Sequence, residues 1–163
     1  MILATGVFFW QVVLAIHIAA VVITFGVTFA YPVFFVVGTK LDPRAIPWFH
    51  RMQRSIARRI INPGLTVVLI AGIYLASKLG YWHFFFVQWG IAVVIILGGL
   101  EGAFMIRKEA KLAELAERDI AAAGNGEVTF GDDYAALAKR VGAVGVLMNV
   151  LVLATIYLMT IQS

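Results

Sequence analysis

The chain has 163 residues, of which 62% are hydrophobic and 13% charged, with a formal net charge of +4 and no cysteine. A soluble domain carries about 25% charged residues, so a mean hydropathy of +0.93 excludes a water-soluble fold of this size and points to a single membrane-embedded unit over residues 1–163. The missing cysteine excludes disulfides, thiolate metal ligands and thiol catalysis.

Residues 1–39 contain no charged side chain, and 6–37 reads as the first span. It exceeds the roughly 20 residues that cross a hydrocarbon core of about 30 Å, so it tilts or protrudes. No basic residue precedes it and no small-residue cleavage site interrupts it, so it reads as a retained helix rather than a signal peptide. At about 100° per residue, Gly6, Trp10, His17, Thr24, Thr28 and Tyr31 fall on one arc. Hydroxyls and imidazoles within a bilayer need partners, so this stripe is expected to face protein. An ionisable group at membrane depth is a functional candidate. His17 reads either as a core histidine bonded to a carbonyl or hydroxyl, or as a ligand of the kind neutral imidazole makes with haem iron.

The second helix is expected over 47–77, with its membrane part from about 60. Its lead-in, "PWFHRMQRSIARRI", starts at Pro47, and Phe49, Met52, Ile56 and Ile60 recur on one face. It reads either as an amphipathic helix on the inner leaflet or as a plain basic flank. His50 within it reads as an ordinary surface histidine. The "NPG" at 62–64 predicts a kink at membrane entry.

The third helix is expected over 82–123, membrane-embedded to about 106 and then continuing about 25 Å beyond it at 1.5 Å per residue. His83 stands at its outer end, and Glu101 lies just inside its inner boundary. A lone carboxylate there is costly, so Glu101 is expected to pair with Arg58 or Arg59, or failing those with Arg54, with Gly98 and Gly102 leaving room for the long side chain. The extension "RKEAKLAELAERDIAAAGNG" is rich in helix formers, with Glu114 and Arg118 spaced for an i, i+4 pair. It reads as a solvated stalk or as a docking hairpin.

The fourth helix is expected over 132–161, opened by Asp132 or Asp133. Ala138, Gly142, Gly145 and Asn149 form a seam of small residues ending in an amide. The fold class is thus all-α, a four-transmembrane-helix antiparallel bundle with a cytoplasmic helical extension between helices 3 and 4.

Six basic residues lie between helices 1 and 2, six between helices 3 and 4, and only Lys78 between helices 2 and 3. Lysine and arginine mark the cytoplasmic side. The expected location is therefore the plasma (inner) membrane, with both termini outside and both basic loops inside, against anionic lipid head groups. A nucleic-acid partner is not expected. The remaining partners are the bilayer itself and a second copy or a membrane complex. No phosphate loop or Ser-His-Asp arrangement is visible, so no catalytic or metal-binding residue is assigned.

"LAIHIAAVVITFGVTFAYPVF" and "FHRMQRSIARRIINPGLTVVLIAGIYLA" resemble the first two helices of small bacterial membrane families. The resemblance is to the uncharacterised four-helix integral membrane family numbered 2269 among domains of unknown function, over nearly the whole chain. More distantly, the chain is similar to HemJ-type protoporphyrinogen oxidases and the copper-resistance D domain. The HemJ likeness implies haem b with His17 as ligand; on the residues alone, His83 pairs with it only if helix 1 tilts. The third helix, "YWHFFFVQWGIAVVIILGGLEGAF", lacks the intramembrane lysine of that family. Two functional readings follow. The first is a non-enzymatic membrane subunit, transport or scaffold component. The second is a haem-binding redox protein.

Overall fold

A computed structural model of the chain describes residues 8–161. Helix α1 (Phe9–Leu41) is continuous through Pro32 and is followed by a short 3-10 turn, Pro43–Ala45. Helix α2 (Ile46–Ile56) runs through a wider π turn, Ala57–Ile61, into α3 (Asn62–Leu79). Gly80 ends α3 in the left-handed conformation at φ +71°, which glycine adopts without a Cβ penalty. A 3-10 turn at Tyr81–His83 leads to α4 (Phe85–Gly99), which passes through a second π turn, Leu100–Met105, into α5 (Ile106–Ala123). Helix α6 (Asp132–Ile161) completes the chain. Four of the resulting long helices are apolar enough to cross a membrane. Val22, Ile70, Ile95, Val146 and Tyr157 stand exposed on their outer faces, the surface a bilayer would cover.

The spans pack in a ring in chain order: α1 on α3, α3 on α4, α4 on α6, and α6 back on α1. One end, here the aromatic end, carries the Tyr81–Phe86 turn, where Tyr81, Phe84 and Phe86 pack edge to face or tilted. The opposite, basic end carries α2 and α5.

Contacts of α3 with α1 and of α4 with α6 depend on glycine. A Cβ on Gly64 would lie 1.9 Å from Thr24 Oγ1, and one on Gly72 would lie 3.2 Å from His17 Cε1. Helices α1 and α3 therefore touch nearly backbone to side chain. Gly90 of α4 similarly admits Met159 of α6, whose Cε would lie 2.7 Å from an added Cβ. Trp89 Nε1 donates to Thr155 Oγ1 at 3.0 Å, fixing the same pair of helices.

At the basic end α2 packs along α5. Ile46, Leu112, Leu115, Ala116, Tyr134 and Val141 form one buried cluster. The extension is thus neither a solvated stalk nor a free docking hairpin, because its apolar stripe is already covered by α2 and the start of α6. The buried face of α2 is Ile46, Phe49, His50 and then Ala57, whereas Ile60 is exposed. Of the face expected from apolar spacing, Phe49 is buried and Met52 and Ile56 are half-buried, and only Ile60, within the π turn, departs from it. The helical irregularity near Asn62–Gly64 falls one turn earlier, as the π turn, and Pro63 follows it closely at the start of α3. Glu114 pairs with Lys111 at 2.8 Å instead of Arg118, which reaches Asp119 at 2.9 Å and Asp133 at 3.3 Å across the turn. The Gly131 N–H, with Arg118 beside it, holds the Asp119 carboxyl below the usual carboxylate range. Arg44 donates to the Gly124 and Gly126 carbonyls, closing the α5–α6 loop onto the α1–α2 connection.

Candidate functional site

The polar stripe on α1 divides between two environments. Its first half, His17 and Thr24, is pressed onto the glycines of α3. Its second half, Thr28 and Tyr31, faces a cavity of about 520 Å³ between α1, α6 and the helices behind them. Gly6 lies outside the described residues. The small-residue seam of α6 lines the same cavity from the other side, through Ala138, Gly142, Gly145 and Asn149. No neighbouring atom comes within 4 Å of where a Cβ on Gly142 or Gly145 would lie, so these glycines border open space. Where the two seams converge, the Thr28 hydroxyl meets Asn149 Oδ1 at 2.7 Å and the Phe25 carbonyl at 2.8 Å. Below that bond the helices diverge. The exposed residues along the divergence, Pro32 and Val36 on α1 and Lys139, Gly142 and Val146 on α6, form a lateral mouth.

The cavity floor is polar. His50 is 3% exposed, Glu109 5% and Tyr134 4%, so His50 is a core residue and not a surface one. Its Nδ1 lies 2.5 Å from Glu109 Oε2, and its Nε2 lies 2.8 Å from the Tyr134 hydroxyl. An ionised carboxylate only accepts, so Nδ1 carries the proton and donates to Glu109. In the neutral ring Nε2 then accepts from the Tyr134 O–H. All three groups are satisfied. Phe35 packs on the imidazole and Phe130 covers Tyr134. The sequence signal for this cluster was the helical register of Ile46, His50, Ala57 and Ile61, with Arg51 and Arg58 turned away from it.

Glu101 lies on the π turn of the third span, 6% exposed, and lines the cavity. Among the described residues it makes no hydrogen bond and no ion pair within 4.0 Å. The expected partners point elsewhere. Arg58 and Arg59 are exposed, because Ala57 and Ile61 occupy the inward positions of their turn. Arg54 is half-buried, with Nε unpartnered, and it is not bonded to Glu101. The space beside Gly98 and Gly102 stays open. Tyr31, on the opposite wall, also has a buried hydroxyl without a partner. Both π turns border the cavity through Ala57, Ile61, Glu101 and Met105, and π turns inside α-helices occur frequently at functional sites.

The two histidines expected near a haem are not brought together at this cavity. His17 Nδ1 is buried without a partner, but its ring edge is seated on Gly72 in a closed helix contact, and His17 does not line the cavity. His83 is exposed on the Tyr81–His83 turn, its ring 4.2 Å from that of Phe84. The Gly72 contact occupies the Cε1 edge of the His17 ring, and neither histidine lines the cavity.

The fold and the cavity define a four-helix integral membrane protein built around a chamber near one end of the bundle. Residues 11–163 match the family described as Predicted integral membrane protein (DUF2269), and the chain belongs to that family. No curated protein matches the chain, and no solved structure does.

Proposed function

We propose that this protein is a non-enzymatic plasma-membrane component, of the transport or carrier-subunit kind, that takes a lipid-soluble ligand into the cavity from the side. One observation carries the reading: an interior space of about 520 Å³ with a polar floor opens between α1 and α6 at bilayer depth. Ligand cavities are commonly about 300–1,000 Å³, with apolar walls and a few converging polar groups. Six basic residues on each connection at the α2/α5 end, against Lys78 at the other, support an orientation with that end in the cytoplasm and both termini outside. The chamber then opens to the inner leaflet, with Lys139 and the other basic residues near anionic head groups.

A long-chain alcohol carrying a photoactivatable group tests the reading in membranes. Labelling should concentrate on peptides spanning 31–36 and 138–149. It should fall in a Gly145→Trp variant, whose indole projects into the open space of the cavity. Uniform labelling over all bilayer-facing segments would refute the cavity reading. For the orientation, an impermeant thiol reagent should label Ala122→Cys in this cysteine-free chain only after the cell is opened. Labelling of intact cells would reverse the orientation.

A further inference from the structure

The proposed function leaves the chemistry of the ligand open, and the charges around the cavity narrow it. Two carboxylates line the cavity, Glu101 and Glu109. Glu109 is committed to His50. Glu101 is nine-tenths buried, faces the cavity and has no partner among the described residues. The only lysine or arginine on the lining is Lys139, at the exposed rim. Phe25, Tyr31 and Phe35 supply aromatic wall, and the Tyr31 hydroxyl there is also unpartnered.

Resting on that reading, we propose that the cavity binds a single-chain amphiphilic amine, with Glu101 as the counter-charge of its ammonium head. The head replaces the arginine that the fold withholds from Glu101. A buried carboxylate without a cation is the costly state, and an ammonium arriving from the membrane relieves it. Aromatic faces favour cations over anions, so the wall rings act in the same direction. The tail runs out through the lateral mouth between α1 and α6, where Val36 and Val146 keep it in apolar surroundings. A two-chain zwitterionic lipid fits less well, because its phosphate would enter a cavity whose inner charges are negative.

The test uses the full chain in uncharged detergent, with dodecylamine as probe and dodecanol as its neutral counterpart. Hydrogen bonds to charged groups contribute about 1.5–3 kcal/mol, which corresponds to roughly ten- to hundredfold in affinity. Wild type should therefore bind dodecylamine at least about tenfold more tightly than dodecanol. Glu101→Gln should abolish that preference while leaving dodecanol binding unchanged, and Glu101→Asp should retain most of it. Equal binding of amine and alcohol by wild type overturns the proposal, and this arm does not require any variant to fold. So does a preference that survives Glu101→Gln, or binding of phosphatidylethanolamine in place of the amine. If dodecanol and dodecylamine both stay out, and the photoactivatable alcohol labels no cavity peptide, the cavity reading itself fails. Labelling of the cavity with no amine preference removes only the inference about charge.

Discussion

Two sets of helices treat the same building materials differently. On α3 and α4, small residues close space: Gly64 receives Thr24, Gly72 receives His17 and Gly90 receives Met159. On α6, Gly142 and Gly145 leave space open. Polar groups show the same contrast within the basic end itself. Glu109 is bonded to His50, which Tyr134 bonds in turn, whereas Glu101 has no partner among the described residues. A small or charged residue at membrane depth is therefore not by itself a packing device or a site. What faces it on the neighbouring helix decides which it becomes.

The largest expected effect separates the two carboxylates. Glu109→Ala strips the acceptor from a buried imidazole and should destabilise the protein by about 3 kcal/mol, within the range for breaking a buried, hydrogen-bonded pair. Glu101→Gln should leave stability unchanged or raise it, since no partner is lost. Thermal unfolding in detergent, followed by near-ultraviolet circular dichroism, reads both. Equal losses for the two variants would mean that Glu101 has a structural partner and would erase the contrast.

A smaller effect separates the glycines. Gly64→Ala places a methyl within 1.9 Å of Thr24 Oγ1 and 3.1 Å of Thr24 Cβ, so the side chain cannot simply rotate clear. Overpacking of this kind costs about 1–3 kcal/mol. Gly145→Ala meets nothing within 4 Å. It should be neutral or gain up to about 1 kcal/mol from helix propensity. If the two substitutions shift the unfolding temperature alike, the closed and open glycine positions are not distinct.

Much of this arrangement was legible in the sequence, and the parts that were not share a cause. Long charge-free runs and clustered basic residues reveal four spans, because the bilayer demands about 20 apolar residues regardless of context. The α6 seam of Ala138, Gly142, Gly145 and Asn149 was readable from spacing, and all four residues line the cavity. The α1 stripe was readable as protein-facing, but spacing cannot say that His17 meets a glycine while Tyr31 meets open space. That depends on α3 and α6. The inward turn of His50 was missed because its partners, Glu109 and Tyr134, lie 59 and 84 residues away in the chain. The Glu101–arginine pair failed for a geometric reason. A π turn holds one residue more than an α turn, so it rotates everything beyond it. Turns of this kind at Ala57–Ile61 and Leu100–Met105 place the arginines outside and the carboxylate inside. Nothing in the residue types at those positions announces them.

The central claim is that Glu101 is a free carboxylate reachable from the lipid through the mouth between α1 and α6, while Glu109, on the same cavity, is held by His50. A lipid-soluble carbodiimide applied to membranes, followed by peptide mass spectrometry, tests this most directly. The account predicts one dominant adduct within the bundle, on Glu101, diminished by Gly145→Trp, with Glu109 unmodified. Failure to modify Glu101, or modification of Glu109 to the same extent, would contradict it.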